Sequence, residues 1–574
     1  MTSFRIRPLL LCFAIAAVLV TFAPREVRAH HAVWVDMSGL QLAAFATVNG
    51  NTPPTANDIA AVQALVFANM IEDYAPFDVT LTRFQPANGR YTRVAMLDSA
   101  QPGGLYGCAG GSCCPVGGVC TGISSWDSSN PSQAEIYAGS FAGLGSLSGA
   151  NATTARIANA LSHTASHELG HVLDLTHCNA ADDSITLGCA GINANTNDQN
   201  PNSHIMASGK SWGLTPAQRA TVDRFFSIHA SRRLLLGNFQ VRNHFLPLQT
   251  LNGGSRADLL YGRVSSPATT TWYRRLSDGS AFGNWATAST DAGNAGDIFL
   301  AGDVSGDGRA DLVYGRAVSA TQMRWYVRTS NNAGIFSDAT VWRDDAGNVG
   351  DIFRLGDVNG DGRDDLAYGR PLTSTTVRWY VRLSTGAGFG DYSTWRSDAG
   401  DEGDLFFLGD VDGDGDADLV YGEIVAPTQV RWYARMSSGA AFGARETWRE
   451  DAGDRGDLFY LGPVGDADAD LVYGRVDSDT QMRWFVRGSN GSAFGDWSTW
   501  AEDAGDAGDL PRLGDGDGDG RLDLVYGRPA GMTSLVNAPD LTLVTWFGRP
   551  SQGSAFGDWS TWATDAGNEG DLFP

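Results

Sequence analysis

An Asp/Gly-rich segment recurs through the second half of the chain and restricts its fold more than any other feature. It reads Asp303-Val-Ser-Gly-Asp307-Gly-Arg-Ala-Asp311, then Asp357-Val-Asn-Gly-Asp361-Gly-Arg-Asp-Asp365, then Asp410-Val-Asp-Gly-Asp414-Gly-Asp-Ala-Asp418, and again Asp515-Gly-Asp-Gly-Asp519-Gly-Arg-Leu-Asp523. Degenerate copies end in Asp258 and Asp470, which makes six units with a step of about 53 residues. Each loop leads into a strand such as Asp418-Leu419-Val420-Tyr421-Gly422. An alternating strand follows, with Val430, Trp432 and Ala434 on one face and Arg431, Tyr433 and Arg435 on the other. An Ala441-Phe442-Gly443 turn and Trp448 close the unit. Short strands repeated at this period predict an all-β propeller over residues 240–574, of about six blades, with seven as the alternative. The end at Gly570-Asp571-Leu572-Phe573 is placed to help close the ring. A tryptophan recurs at Trp272, Trp325, Trp379, Trp432, Trp484 and Trp546. Packing in the wedge between blades is favoured for this column over a ligand-binding row.

The Asp loops have the chemistry of a hard-cation site. Oxygens at alternate positions around a tight Gly turn suit Ca²⁺. The expected ligands are Asp303, Ser305, Asp307 and Asp311; Asp357, Asn359, Asp361 and Asp365; Asp410, Asp412, Asp414 and Asp418; and Asp515, Asp517, Asp519 and Asp523. The carbonyls of Arg309, Arg363, Asp416 and Arg521 would add a backbone oxygen. About four structural ions are therefore expected, the two degenerate copies lacking the early ligands. Metal-free Asp/Gly turns are the competing reading, disfavoured because crowded carboxylates repel unless a cation joins them. This half resembles FG-GAP/VCBS repeats, the units of integrin α-chain propellers, which implies a docking module for a glycan or a cell-surface ligand.

The start of the chain reads as an export address over residues 1–29. Arg5 and Arg7 precede an apolar run from Leu9 to Phe22, and Val27-Arg28-Ala29 offers a small-residue cleavage site. The run is short for a membrane span, so a secreted, extracellular protein is expected, and a monomer. Cysteine use agrees: Cys108, Cys113, Cys114, Cys120, Cys178 and Cys189 form an even set in the first half, as disulfides require. Cys178 and Cys189 flank one short loop and are the preferred pair; the pairing of the others stays open. A cysteine-based zinc site is less favoured, since no C-x-x-C pair occurs. The net charge is −24 and Lys210 is the only lysine, which argues against a nucleic-acid partner.

Residues 30–232 alternate strand-like and helix-like patterns. Ala32–Met37, Val79–Phe84 and Thr92–Leu97 read as strands and Asn57–Tyr74 as an amphipathic helix. Ala134–Ala138 reads as a short edge strand, Gly103–Gly122 as loop, Thr154–Leu173 as a helix, and a further capped helix begins at Thr215. The Thr154 helix contains His167-Glu168-Leu169-Gly170-His171. Residues four apart share a helix face, so His167 and His171 can present two imidazoles to one Zn²⁺. Glu168 lies beside them, placed to take a proton from an attacking water. Catalytic zinc usually takes three protein ligands. No Glu occurs between Glu168 and Glu402, and His177 is the best candidate for the third, with Asp174 as the alternative. His163 is read as packing, and His204 and His229 as structural.

The register of His167, Glu168, His171 and His177 resembles the metzincin metallopeptidases. Within that resemblance Met206, in Ser203-His204-Ile205-Met206, is the Met-turn residue, and Asp174 stands where the family has Gly. The resemblance implies a multidomain chain, an α+β metzincin-like domain followed by a propeller. The implied function is a zinc endopeptidase acting on protein or peptide substrates, with Glu168 as general base. The alternative is a secreted glycan-binding or adhesion protein whose peptidase-like domain is secondary or inactive.

Overall fold

The computed structural model describes residues 31–74, 79–86, 91–100, 107–109, 133–172 and 248–572, apart from short loop gaps and the segment 530–542. The first unit is built on a five-stranded sheet. Its strands are β1 (His31–Asp36), β2 (Val79–Thr82), β3 (Tyr91–Leu97), β4 (Gly107–Ala109) and β5 (Gln133–Tyr137). They run in the order β2-β1-β3-β5-β4. β1, β2, β3 and β5 are mutually parallel, and β4 pairs antiparallel with β5.

Two long helices, α1 (Ala56–Tyr74) and α3 (Thr154–Val172), pack against each other, with a one-turn helix α2 (Ala138–Phe141) between them in sequence. α1 begins where Thr55 and Asp58 bond reciprocally: the Thr55 hydroxyl accepts from the Asp58 amide, and Asp58 accepts from the Thr55 amide and hydroxyl. Val62, Val66 and Met70 recur at helical spacing and are fully buried, as the amphipathic pattern requires. The expected edge strand over 134–138 is an interior strand. The edge is β4, drawn from the Gly- and Cys-rich stretch read as loop. Three residues of strand among glycines are too short to leave a periodic signal.

The second unit is a six-bladed propeller. Blades two to six are four-stranded antiparallel sheets, β9–β12 (298–343), β13–β16 (352–396), β17–β20 (405–449), β21–β24 (458–501) and β25–β28 (510–563). Blade one has three strands of its own, β6 (Leu259–Ser266), β7 (Thr269–Arg275) and β8 (Ala286–Ser289). Its missing inner strand comes from the far end of the chain. The Gly262 amide donates to the Leu572 carbonyl and the Leu572 amide to the Gly262 carbonyl, both at 2.7 Å. The Arg263 guanidinium clasps Asp571 alongside, at 2.8–2.9 Å. The ring is closed as the 570–573 end suggested, with six blades.

The tryptophan column is core. All six of Trp272, Trp325, Trp379, Trp432, Trp484 and Trp546 are fully buried, and each indole N–H donates to an alanine carbonyl of its own blade at 2.7–3.2 Å. Each faces a glycine across the strand pair, such as Gly369 opposite Trp379. A Cβ at Gly369 would lie 2.8 Å from the Trp379 ring, so the indole fits only over a bare Cα. Blades are joined by serines: the Ser437 hydroxyl donates to the Val358 carbonyl of the preceding blade at 2.6 Å, and Ser384, Ser489 and Ser551 do the same with their own neighbours.

Candidate functional site

α3 carries His167, Glu168 and His171 near its C-terminal end and packs on β5 and the edge strand β4. Ile157, Ala158, Leu161, Ala165 and Leu169 of the helix are buried in the core. The Tyr74 hydroxyl of α1 donates to the Ser166 carbonyl at 2.7 Å and fixes the turn before His167. His163, one turn earlier, is buried, in keeping with a packing role. Burial pushes the Glu168 carboxyl up to about 8; a cation held beside it would draw that value down again. The third expected ligand His177, its alternative Asp174, the Met-turn Met206 and Cys113, Cys114, Cys120, Cys178 and Cys189 lie outside the described residues. Cys108 lies on β4.

The Asp loops are described in full. In every blade the last Asp is buried and staples the blade. Asp418 accepts from the Ser437 amide at 2.7 Å and from the Val411 amide at 3.1 Å, and Asp523 accepts from the Ser551 and Gly516 amides at 2.7 and 3.0 Å. Asp258 and Asp470 make the same kind of bonds in the degenerate copies. That structural duty accounts for their presence in loops without the early ligands. The first Asp wraps the turn: Asp303, Asp357, Asp410 and Asp515 accept from two or three loop amides each.

Carboxylate oxygens of Asp410, Asp412 and Asp418, and of Asp515, Asp517 and Asp523, converge within 4.8 Å of one another. In the second blade the middle position is Ser305 and in the third Asn359. The third loop leaves Asn359 Oδ1 and Asp365 Oδ2 buried without a hydrogen-bond partner. Buried oxygens left without a donor fit a hard cation. Burial, then neighbouring carboxylates, raises Asp365 to about 8 and Asp418 and Asp523 to about 7. Asp307, Asp361 and Asp519 each ion-pair with the arginine two residues on, Arg309, Arg363 and Arg521. Asp414 has no such neighbour, because Asp416 takes that place.

A second acidic ring escaped the sequence reading. Asp297, Asp351, Asp457, Asp509 and Asp571 are buried at the entry to the inner strands and pair with Arg316, Arg370, Arg475, Arg528 and Arg263 at 2.7–2.8 Å. The recurring Gly-Asp-Ile/Leu and Tyr-Gly-Arg tripeptides carry this signal. Four aromatic rings in equivalent turns also went unremarked: Trp285, Tyr392, Trp497 and Trp559 are each more than half exposed.

Residues 357–421 match the family described as FG-GAP-like repeat. Comparison with curated proteins gives no match. Among solved structures, the chain is similar to a Tc holotoxin pore protein of Photorhabdus luminescens at 18% identity and a TM-score of 0.35, covering 54% of this chain and 15% of that one. It is also similar to the six-bladed fungal lectin of Aleuria aurantia, described with a fucose recognition mode, at 11% identity and a TM-score of 0.31, covering 56% of this chain and 99% of that one. AofleA from Arthrobotrys oligospora follows at 10% identity and 0.32, covering 56% and 90%. Among the described residues no helix is long and apolar enough to cross a membrane.

Proposed function

We propose that the chain is an exported zinc-dependent endopeptidase whose calcium-braced propeller docks it to a substrate or surface. The observation that carries the peptidase reading is α3. It is a helix that spaces His167, Glu168 and His171 as a metal-binding helix does, and it packs on β5 and the edge strand β4. Four parallel strands with one antiparallel edge support the metzincin resemblance. Two imidazoles one helical turn apart fit Zn²⁺, and His177 would complete the set. When bound, zinc supplies a Lewis acid that polarises the scissile carbonyl. Glu168 takes the proton of the attacking water and delivers it to the leaving amine. β4, an edge strand among the described residues, would be the strand to pair with an extended peptide. The Asp loops of blades two, three, four and six would hold Ca²⁺.

The test is a casein or peptide-library digest by the purified chain, with zinc content measured alongside. Wild type should cleave, and Glu168→Gln should lose at least a hundredfold in rate with zinc retained. Full activity in Glu168→Gln, or a zinc-loaded wild type that cleaves nothing, overturns the reading. A second reading, a glycan-binding or adhesion protein whose first unit is secondary, is favoured by the four exposed rings at equivalent turns of the propeller.

A further inference from the structure

The exposed rings are not equivalent once their neighbours are considered. The Phe turn of each blade, Phe-Gly in five and Phe336-Ser337 in blade two, docks on the outer strand of the blade before it; the Phe494 amide, for example, donates to the Trp448 carbonyl at 3.2 Å, with the two rings packed edge to face. Just beyond that joint, between blades four and five, lies a cleft of about 680 Å³. Its walls include Arg449, Glu450, Arg487, Asp496 and Trp497. Arg449 Nη2 bonds Asp496 Oδ1 at 2.7 Å, and its Nη1 donates to the Phe494 carbonyl at 3.3 Å. Arg487 is fixed by the Gly495 and Asp451 carbonyls at 2.9 and 3.0 Å. Trp497 stands at 85° to Phe485, with centroids 5.6 Å apart, and keeps 56% of its surface open.

The same constellation stands between blades two and three. Arg343 Nη2 bonds Asp391 Oδ1 at 2.6 Å and its Nη1 reaches the Phe389 carbonyl at 3.4 Å. Arg382 is held by the Gly390 and Asp345 carbonyls at 2.8 and 2.6 Å and lies 5.3 Å from the Tyr392 ring. Tyr392 stands at 86° to Tyr380. At the other joints a member is missing. The strand residue equivalent to Arg449 is Ser289, Ala501 or Ala563, and at the joint between blades three and four the Asp-aromatic pair is Ala444-Arg445.

We infer that this cleft, and the joint between blades two and three that repeats its side-chain arrangement, are saccharide-binding subsites. This deepens the docking part of the proposed function and rests on it. An aromatic face suits the C–H face of a sugar ring. The adjoining guanidinium and carboxylate offer paired donors and acceptors, which match vicinal hydroxyls that must both give and accept hydrogen bonds. The walls of the first cleft set three carboxylates, Glu450, Asp451 and Asp496, against the two guanidiniums of Arg449 and Arg487, so a neutral polyhydroxylated ligand is favoured over an anion. An apolar peptide side chain would leave the charged pair unmatched. Two such sites separated by two blades on one rigid ring would engage a multivalent glycan with avidity.

The test is full-length protein on a printed array of neutral and acidic mono- and oligosaccharides, with surface plasmon resonance on the best probe immobilised. Wild type should bind. Trp497→Ala and Tyr392→Ala should each weaken binding about tenfold, the double variant should bind at background, and Trp285→Ala and Trp559→Ala should match wild type. The side chains are exposed, and an unchanged thermal melt for each variant verifies folding. Binding that survives the double variant, or falls equally with Trp285→Ala, overturns the cleft assignment and leaves the docking reading standing. No binding by wild type to any saccharide removes the inference and the glycan form of docking together. Capture on a peptide array that Trp497→Ala abolishes would replace the saccharide with a peptide.

Discussion

Gly369→Ala tests whether the propeller core is as tightly registered as its repeat implies. The new Cβ would meet Trp379 Cζ2 at 2.8 Å, Trp379 Cε2 at 2.9 Å and Val377 Cγ1 at 2.9 Å. Carbon atoms prefer ~3.5–4.0 Å, so all three contacts are repulsive. The indole cannot swing away, because it is fully buried and its N–H is tied to the Ala399 carbonyl at 3.2 Å. Overpacking of this kind costs about 1–3 kcal/mol. Alanine also narrows the unfolded ensemble, which returns about 0.4–1 kcal/mol where the native backbone tolerates it. The net expectation is a loss of about 1–2 kcal/mol, or roughly 2–3 °C for a domain of about 300 residues. Urea unfolding followed by tryptophan fluorescence would read it. Trp379→Phe removes the clashing part of the indole, so the double variant should be at least about 1 kcal/mol more stable than the two single losses sum to. A Gly369→Ala variant indistinguishable from wild type, or strict additivity in the double variant, would refute the argument.

Removing residues 571–574 should open the ring: two backbone bonds and two charged hydrogen bonds are lost, about 4 kcal/mol together with the part-exposed guanidinium discounted, seen as a lower melting temperature with protease sensitivity appearing in blade one. Chelation with EGTA should lower the propeller's melting temperature, and Asp412→Asn with Asp517→Asn should shrink that shift; a melt indifferent to Ca²⁺ would count against the Asp-loop sites. pH gives a third reading. Asp258 and Asp470 are raised to about 6 and Asp311, Asp418 and Asp523 to about 7, by burial first. Groups raised above their unfolded value add stability below that value and lose it as pH climbs through the folded one. Chelated protein should therefore have a higher urea midpoint at pH 5 than at pH 8, and added Ca²⁺ should narrow the gap; a higher midpoint at pH 8 without Ca²⁺ would contradict the burial argument.

The propeller was legible because six copies of one unit average out local ambiguity. Trp432 alone says little, but a tryptophan recurring in every unit with a glycine in the strand before it specifies a joint. The limit was side-chain pairing, inside a loop and between units. Asp307 reads as a ligand by position and also ion-pairs with Arg309 two residues on, a contact that spacing alone does not foretell. Trp497 and Trp285 likewise occupy the same place in their units. What separates them is Arg449, supplied by the preceding blade across a joint that only the folded ring creates. In the first unit the His167–His171 helix was legible because its spacing is local. The edge strand β4 was not, because a three-residue strand draws its identity from β5 rather than from its own sequence.

The fourth blade shows how such repeats hold their balance when one member changes. Five blades set an arginine against the buried Asp at the inner-strand entry; here that residue is Glu423, and burial first, then the Asp401 and Glu423 carboxylates, pushes the Asp404 carboxyl well above the usual range. A partial compensation comes from the turn that carries an exposed aromatic in four other blades. It holds Arg445, whose guanidinium stacks 4.7 Å from the Tyr433 ring and eases the charge on Asp404. The Tyr433 hydroxyl donates to Glu423 at 2.8 Å, and Arg431 joins Glu423 to Glu450. The two departures, Arg to Glu on one strand and aromatic to Arg in the turn, both meet Tyr433, and Arg445 offsets a small part of the added negative charge. The same exchange removes the Asp-aromatic pair from the joint between blades three and four, which leaves the two complete sites on either side of it.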